Sequence, residues 1–339
     1  MSDARVLGIS YHLPPTVETL EDLKRQYPEW PLEKTFEESG IRSRHIAPPG
    51  VTATDLGFEA ALKLLRRELV SAEEIDFLIF CTQMPDHFLP SGACLVQHRL
   101  GLRKQVGAVG MDLGCSGFVY GLALSKALIV SGMAENVLLV VADTVTQAVH
   151  PRDRTTRVLF GDGAAAALVG ATDSGPGRIG QFVVGTDGKG AASLTIPAGA
   201  FRTPRSQETA KEQTDDAGCT RSANHLFMDG TAVFTFAITV VPRVIRELLQ
   251  SANLRAEDID YYVYHQANKF MLEQLAHRSK VPPNKLALAM EDVGNTSSAS
   301  IPITIQKYVE QRKIVAGSRL VLVGFGVGFS WAACEMTWG

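Results

Sequence analysis

The chain has 339 residues, of which 45% are hydrophobic and 20% charged, and its formal net charge is −3. This composition is typical of a globular protein with one large or two fused domains, and no apolar run reaches the roughly eighteen residues of a membrane span. The charge balance, without any run of Lys and Arg, argues against nucleic acid as a partner. Since the N-terminus also lacks the features of a secretory signal, we expect a cytoplasmic protein that does not bind membranes.

The cysteines support the same compartment. There are five, Cys81, Cys94, Cys115, Cys219 and Cys334. They are odd in number, widely separated and never arranged as C-x-x-C, which argues against both a disulfide framework and a zinc site. Reduced thiols and no bound metal are the prediction.

Apolar strand-like runs alternate with helix-like periodic segments along the whole chain. The predicted strands are Phe77–Cys81, Val137–Val141, Ala164–Val169, Tyr261–Tyr264 and Leu320–Val323. The predicted helices are Thr54–Val70, Cys94–Leu100, Phe118–Ser131 and Val233–Gln250. Such alternation predicts an α/β protein whose sheets are covered by helices.

The sequence also resembles itself. The segment Glu73–Gln83 aligns without a gap with Glu257–Ala267, and Lys126–Asp143 resembles Lys307–Phe325 in the same order. Two matches in one order predict two related α/β halves.

We place these halves at 1–174 and 175–339, because the join is rich in Gly, Ser and Asp. The second half also carries Asp187–His225, a polar segment with few strand signals. A connection of this length is usually a functional or a mobile loop.

The repeat brings three polar side chains to one edge of the molecule. It aligns His265 with Cys81 at the end of a strand, and it puts Cys115 and Asn295 in comparable places. Each of the latter two follows a strand-like run and a glycine and precedes a helix. Because ligands of α/β sheets bind at the carboxyl ends of strands, we expect Cys115, His265 and Asn295 to converge.

Cys115 lies in the segment MDLGCSGF at the start of a predicted helix. The unsatisfied N–H groups and dipole of that helix are expected to favour the thiolate, and Gly114 and Gly117 leave room for a substrate. A lone cysteine in an apolar run is more often an inert core residue, and we interpret the other four cysteines in that way.

His265 and Asn295 have simpler interpretations when taken alone. His265 could be a hydrogen-bonded histidine at a strand end, and Asn295 could be a turn or helix N-cap residue. The glycine-rich segment Gly324–Trp331 is weak evidence for a nucleotide loop. It is better suited to present backbone N–H groups to an anionic oxygen.

Five motifs, taken together, resemble one known family. GCSGF, FGDGAAAALV, HQAN, GNTSSASIP and GFGVGFSW occur in the order and spacing of the β-ketoacyl-acyl-carrier-protein synthase III family of the thiolase superfamily. The segments Glu38–Pro49 and Phe88–Gly101 extend the resemblance over nearly the whole chain. The resemblance implies a homodimer with a five-layer αβαβα fold built from two similar halves.

The resemblance also implies a mechanism. Cys115 takes the acyl group from an acyl-CoA as a thioester, and malonyl-acyl carrier protein or malonyl-CoA then loses carbon dioxide. His265 and Asn295 donate hydrogen bonds to the malonyl thioester carbonyl, and the resulting carbanion attacks the acyl-cysteine. The backbone N–H groups of Cys115 and Val327 form the other oxyanion hole. No cofactor is implied beyond the coenzyme A thioester that serves as substrate.

Further residues match the substrate contacts of the family. Arg154 matches a residue that stacks on the adenine of coenzyme A, and Trp30 lies near the same site. Leu89 matches a residue that reaches across the dimer into the acyl pocket of the partner. Phe325 and Met228 are also assigned to substrate binding.

The sequence departs from the housekeeping members at the cofactor entrance. Lys34 and Glu38 replace a Trp and an Arg that hold the nucleotide of coenzyme A, and Thr235 and Phe270 replace basic residues that face the carrier protein. The segment Ala191–Ala223 is also longer. Together these differences favour a member of a specialised fatty acid, polyketide or secondary-metabolite pathway.

Two other functions are compatible with these residues. An acyltransferase of the same fold could pass the acyl group to a hydroxyl, an amine or another nucleophile without decarboxylation. The order Cys, His, Asn also occurs in papain-like cysteine hydrolases, although their local motif C-G-S-C-W is absent and the internal repeat has no place in that fold.

Overall fold

The computed structural model describes residues 3–173, 175 and 177–339. The strands are β1 (Asp3–His12), β2 (Thr16–Thr19), β3 (Ser43–Ile46), β4 (Phe77–Cys81), β5 (Gly107–Met111), β6 (Asn136–Asp143), β7 (Gly163–Thr172), β8 (Ile179–Thr186), β9 (Leu194–Thr195), β10 (Gln213–Thr214), β11 (Thr220–Arg221), β12 (Phe227–Met228), β13 (Tyr261–Tyr264), β14 (Arg319–Gly326) and β15 (Ser330–Thr337). The helices are α1 (Leu20–Gln26), α2 (Leu32–Ser39), α3 (Ala53–Leu65), α4 (Gly92–Arg99), α5 (Gly117–Val130), α6 (Arg154–Arg157), α7 (Gly230–Ser251), α8 (Lys269–Arg278) and α9 (Ser300–Glu310).

Two mixed sheets form the body of the molecule. The first has the order β1-β7-β6-β4-β5, and the second has the order β13-β14-β15-β8. In the first sheet β4 is parallel to both β5 and β6, whereas β7 is antiparallel to its two neighbours. In the second sheet only the β13–β14 pair is parallel.

Helices cover both sheets and also separate them. Helix α5 contacts strands of both sheets, and α9 contacts β1 and β7 of the first sheet and β13 of the second. Helices α3 and α4 pack on the first sheet, and α7 packs on the second and carries α8. The order is therefore helices, sheet, helices, sheet, helices, which confirms the predicted five-layer αβαβα arrangement.

The position of each helix explains its residue pattern. Helix α5 is apolar on most of its surface, because it lies between two sheets, and it buries Phe118, Val119, Leu122 and Ile129. Helix α7 has one buried face, since its other side faces solvent. Val233, Ala237, Val241, Val244 and Leu248 form that face.

The predicted elements are present, with ends that differ by a few residues. The internal match is also confirmed: a 3₁₀ turn at Ala72–Glu74 leads into β4, and a 3₁₀ turn at Ala256–Asp258 leads into β13. The last strand of the first sheet ends at Thr172 and the first strand of the second begins at Ile179. Ser174, the last residue of the predicted N-terminal half, lies outside the described residues.

The long segment after β8 contains little regular structure, as predicted. It forms two short antiparallel pairs, β9–β12 and β10–β11, and it is tied to the body by backbone hydrogen bonds from Thr220 to Arg152 and from Leu226 to Ala148. Among the helices described, none has the combination of length and apolar character that crossing a membrane requires.

Candidate active site

Cys115 lies between the end of β5 and the start of α5. A hydrogen bond from the Gly117 N–H to the Gly114 carbonyl, 2.7 Å long, forms the tight turn around it. The side chain is 7% exposed. It lines two cavities of about 310 and 150 Å³, so this mostly buried residue borders two separate cavities.

The electrostatics of this cysteine differ from the expectation. Burial raises the pKa of the Cys115 thiol to about 12, and the negative charge of Asp143 adds to the rise. The Ser297 side chain and the backbone N–H groups of Val327 and of Cys115 itself act in the opposite direction but do not prevail. The prediction of a thiolate in the resting protein is therefore wrong. Removing the sulfur from water raises the pKa of Cys115 more than the N-terminus of α5 lowers it. The thiol must then lose its proton during the reaction.

His265 follows β13 and is held there by a 2.8 Å hydrogen bond from its backbone N–H to the backbone carbonyl of Val323. Its Nδ1 lies 2.8 Å from the hydroxyl oxygen of Ser300, and its ring meets Phe325 edge-on at 5.7 Å. Burial lowers the pKa of the imidazole to about 3. At neutral pH the ring is therefore uncharged, and when Ser300 donates to Nδ1 the other nitrogen carries the proton.

Asn295 is fixed at both its backbone and its side chain. Its N–H donates to the Leu159 carbonyl at 2.8 Å, and its carbonyl accepts from Gly161 at 3.0 Å. The side-chain Oδ1 accepts a 3.0 Å hydrogen bond from the N–H of Ser297. This contact orients the amide and leaves its nitrogen as the donor toward the cavity.

The three predicted side chains do converge. Cys115, His265 and Asn295 all line the cavity of about 150 Å³. The site thus brings a thiol together with an uncharged imidazole and an amide, although these residues are 150 and 30 positions apart in sequence.

Val327 lies between two glycines after β14 and lines the cavity of about 310 Å³ together with Cys115. The backbone N–H groups of Val327 and Cys115 favour the ionised sulfur, so both predicted oxyanion-hole donors lie close to the atom that would carry the acyl group. Gly326 makes this approach possible. A Cβ at Gly326 would lie 2.9 Å from both Cβ and Sγ of Cys115.

Replacing Gly326 with alanine is expected to slow acylation of Cys115 by about 10²-fold, since displacements of about 1 Å at a reacting group have effects of that size. The added Cβ would push the sulfur away from the Val327 N–H. The rate of acylation, followed by intact-protein mass spectrometry, measures this. Gly132→Ala is the matched control, because this glycine also has a positive φ (76°) but an added Cβ meets no atom within 4 Å. Equal effects of the two variants would contradict the steric argument.

The predicted substrate-binding residues occupy three places. Phe325 and Met228 line the cavity of about 150 Å³ that contains the three polar side chains. Arg154 and Trp30 line an outer cavity of about 380 Å³. Leu89 is 81% exposed and is not among the lining residues of these cavities.

The outer cavity also contains the two departures noted in the sequence. Lys34 and Glu38 lie one helical turn apart on α2, with their charged atoms 3.7 Å apart. One face of the Trp30 ring is covered by Tyr27, which stacks on it at 4.2 Å.

Sequence reasoning missed two buried carboxylates near the site, Asp143 and Asp162, which are both fully buried. Asp162 accepts hydrogen bonds from the N–H groups of Ala47 at 2.7 Å and Thr146 at 3.0 Å and thereby joins three loops. Asp143 ends β6, one of the strands whose carboxyl ends form the site. Its position at a strand end was a usable signal, since that is where functional groups gather.

Comparisons with known proteins place the chain in one family. A family model described as 3-oxoacyl-[acyl-carrier-protein (ACP)] synthase III matches residues 110–188, and the model of its C-terminal part matches residues 249–338. A β-ketoacyl-[acyl-carrier-protein] synthase III of Caldanaerobacter subterraneus is 36% identical over 338 residues, covering 99% of this chain and 98% of the relative. The chain belongs to the β-ketoacyl-acyl-carrier-protein synthase III family. The resemblance seen in the sequence motifs is confirmed, and a papain-like hydrolase is excluded.

Solved structures of this family share the whole fold. A crystal structure of a 3-oxoacyl-(acyl-carrier-protein) synthase III is 46% identical, with a TM-score of 0.97, and the match covers 99% of this chain and 100% of that one. The priming β-ketosynthase from the R1128 polyketide biosynthetic pathway is 29% identical, with a TM-score of 0.82 and coverage of 99% and 96%. The solved relatives thus include both a 3-oxoacyl-(acyl-carrier-protein) synthase III and an enzyme named for polyketide priming.

Proposed function

We propose that this protein is a β-ketoacyl synthase III-type acyltransferase. It transfers an acyl group from an acyl-CoA or another acyl thioester to Cys115 and condenses it with malonyl-acyl carrier protein or malonyl-CoA, with loss of carbon dioxide. The observation that carries this proposal is the single cavity that joins the Cys115 thiol to two neutral donors, His265 and Asn295. The names of the relatives support the same reaction.

In the first half-reaction the sulfur of Cys115 attacks the thioester carbonyl of the donor. A negative charge develops on that carbonyl oxygen, and the N–H groups of Cys115 and Val327 stabilise it; their effect on the ionised sulfur supports this role. The donor thiol leaves, and Cys115 holds the acyl group as a new thioester. A sulfur nucleophile suits this step, because it attacks readily and leaves readily in the next one.

In the second half-reaction the malonyl thioester loses carbon dioxide and becomes an enolate. The imidazole N–H of His265 and the amide nitrogen of Asn295 donate hydrogen bonds to its thioester oxygen. Both groups are uncharged donors held in fixed orientations, which is the requirement for stabilising an enolate in a buried site. The enolate carbon then attacks the acyl-cysteine. The chemistry needs no metal or prosthetic group.

The alternative acyltransferase, with a hydroxyl or amine acceptor, is less well supported. Such a reaction needs a general base that removes a proton from the acceptor. In the cavity of about 150 Å³, where the acceptor would meet the acyl-cysteine, His265 is the residue among those described that could act as a base, and it is a weak one because burial lowers its pKa to about 3. Decarboxylation generates its own nucleophile and needs donors rather than a base, so the site is better suited to condensation.

The substrate path follows from the cavities. The outer cavity and the inner cavity of about 150 Å³ share Leu159, Asn268 and Phe270 as lining residues. A phosphopantetheine arm entering past Arg154 and Trp30 would therefore reach Cys115. The altered pair Lys34 and Glu38 at the entrance supports a specialised pathway, and a cytoplasmic location stays a prediction.

An acyl-CoA panel tests the proposal. Each acyl-CoA is incubated with the protein alone, and intact-protein and peptide mass spectrometry identify any added acyl mass on Cys115. We expect labelling of this residue by at least one acyl thioester, at one group per chain. If no acyl-CoA and no acyl-carrier protein labels it, the acyl-enzyme scheme is wrong.

We also propose that the protein is a homodimer. Strand β5 is the edge of the first sheet and has the apolar sequence Gly107–Met111, without the Lys or Pro that normally protects an edge. Val109 is 43% exposed on this edge, and the neighbouring Phe88 and Leu89 are 68% and 81% exposed. A second copy would cover this surface and place Leu89 near the partner's acyl pocket.

Val109→Lys is expected to weaken this dimer at least ~10-fold, because a buried unpaired charge at an interface is strongly unfavourable. Light scattering coupled to size-exclusion chromatography measures the molar mass. Val184→Lys is the control, since Val184 has similar exposure on a strand of the second sheet. A monomeric wild-type protein, or identical behaviour of both variants, would contradict the proposed interface.

A further inference from the structure

Asp143 is a buried carboxylate to which the reaction described above assigns no role. It is fully buried, and its two oxygens accept hydrogen bonds from the Thr82 hydroxyl at 3.3 Å, from the Gln83 N–H at 2.9 Å, and from the N–H and the hydroxyl of Ser298 at 3.3 and 2.6 Å. Within residues 3–173, 175 and 177–339, the ion pairs of Lys, Arg and His do not include Asp143. A buried carboxylate without a cation is costly, so its position beside the nucleophile requires an explanation.

Ser297 connects this carboxylate to the nucleophile. It lines the cavity of about 310 Å³ together with Cys115 and Asp143, and its hydroxyl acts to lower the pKa of both groups against the rise that burial causes. The backbone of Ser297 has φ of 50°, a left-handed conformation that is uncommon for a residue other than glycine. It is held there by the hydrogen bond from its N–H to Asn295. Strained residues of this kind often occur where a side chain must be aimed at a functional group.

The two cavities at Cys115 contain different polar groups. The cavity of about 150 Å³ contains His265 and Asn295, whereas the cavity of about 310 Å³ contains Ser297 and Asp143. Cys115 is common to both. The sulfur therefore has donors for the malonyl thioester on one side and a hydroxyl and a carboxylate on the other.

We propose that Ser297 and Asp143 remove the proton of Cys115 during acylation, while His265 and Asn295 serve decarboxylation. This inference rests on the proposed function. As the bond from sulfur to the donor carbonyl carbon forms, the thiol proton passes to the Ser297 oxygen and the Ser297 proton passes to the Asp143 carboxylate. The bond from that carbon to the donor sulfur breaks, and the donor leaves as a thiolate. It takes the proton back by the same route, so Asp143 is again ionised.

The surroundings of Asp143 make it a suitable proton acceptor. Burial raises the pKa of its carboxyl group, which increases its affinity for a proton. The titratable groups that face it are Cys81, Cys115, Asp112 and Asp162, none of which is a cation that would oppose protonation. His265 is the weaker candidate, because its imidazole is buried, uncharged and in contact with Ser300.

The test is the pH dependence of Cys115 acylation in Ser297→Ala. Near neutral pH we expect the rate to fall by about 10²-fold, the lower end of what general bases contribute. The difference from wild type should narrow as the pH rises, because hydroxide then forms the thiolate without Ser297. A merely structural defect would lower the rate equally at every pH.

Asp143→Asn provides the second variant. It should also slow acylation near neutral pH. In the wild type we expect the acylation rate to fall at low pH as Asp143 becomes protonated, and this fall should be absent in Asp143→Asn. Because this variant removes the negative charge that raises the thiol pKa, its rate should recover at a lower pH than that of Ser297→Ala. It keeps the inference testable if Ser297→Ala does not fold.

Thr296→Val is the matched control. The Thr296 hydroxyl is buried in the same turn and makes no hydrogen bond in the described structure, so its loss should leave the rate unchanged.

Alkylation of Cys115 by iodoacetamide, measured over the same pH range, needs no acyl donor. Alkylation therefore tests the role of Ser297 and Asp143 separately from the proposed function. A wild-type protein whose Cys115 is alkylated but never acylated contradicts the proposed function. Wild-type rates in both variants, or a reduction that does not change with pH, would overturn the role of Ser297 and Asp143.

Discussion

Cys115→Ala is expected to abolish the acyl-enzyme and to lower the rate of condensation at least ~10⁴-fold, the scale seen when a nucleophile is removed. The cavity holds no second nucleophile of comparable reactivity among the residues described, since its other polar side chains are those of His265, Asn268 and Asn295. None of them is a thiol or a hydroxyl, and we assign His265 and Asn295 as donors. Intact-protein mass spectrometry after incubation with the best acyl thioester measures the loss directly.

The other cysteines supply the control for this experiment. Cys94 is an exposed free thiol, and Cys81 is buried beneath the turn that carries Cys115. Cys94→Ala should retain full acylation, because exposure alone does not bring a thiol to the N–H groups of Cys115 and Val327. Acylation that persists in Cys115→Ala, or that disappears in Cys94→Ala, would contradict the assignment of the nucleophile.

His265→Ala and Asn295→Ala are expected to separate the two half-reactions. Each removes one donor to the enolate oxygen, and such a loss typically lowers the rate by ~10²–10³-fold. Acylation should be partly retained, because the oxyanion formed in that step is stabilised by the backbone N–H groups of Cys115 and Val327. Acylation is followed by mass spectrometry, and decarboxylation by release of labelled carbon dioxide.

Asn295→Asp sharpens this prediction. It keeps the size of the side chain but replaces the donor nitrogen with a carboxylate oxygen, which would repel the enolate. We expect decarboxylation to fall further than in Asn295→Ala. The opposite pattern, in which acylation is lost and decarboxylation survives, would mean that His265 and Asn295 act on the thiol rather than on the malonyl thioester.

Much of the fold was predictable, because the sequence repeats its own units. The Ile-Asp strand of each half follows a 3₁₀ turn in the structure, and the two strands lie in different sheets, as two related halves require. The convergence of Cys115, His265 and Asn295 followed from the same argument. Each lies near the end of a strand or in the turn after it. The direction in which the chain runs through the sheets is therefore enough to predict that all three lie at the same edge.

The charge state of the nucleophile was not predictable. The sequence shows that Cys115 precedes a helix, but it does not show how far the sulfur is removed from water or that the Asp143 carboxylate lies beside it. Because of these two effects the pKa of Cys115 lies above its usual value, whereas the sequence predicted a value below it. They depend on how β6, α5 and the turn at Ser297 pack together, and local sequence carries no information about that packing.

The role proposed for Ser297 was not predictable either, because it also depends on packing. In the sequence it is one of three serines in GNTSSAS, and nothing distinguishes it from Ser298 or Ser300. Only its left-handed backbone and its place in the cavity that also contains Cys115 and Asp143 separate it from its neighbours. Ser298 instead contacts Asp143 alone, and Ser300 contacts His265.

The fate of the malonyl carboxyl group tests the central claim most directly. The wild-type protein, once acylated on Cys115, is given a malonyl thioester labelled in the free carboxyl carbon, and labelled carbon dioxide and β-keto product are measured together. Decarboxylative condensation predicts one equivalent of each per acyl group consumed, and neither from Cys115→Ala. Consumption of the acyl-enzyme with transfer of the acyl group to an acceptor, but without labelled carbon dioxide, would contradict the account and identify the protein as a simple acyltransferase.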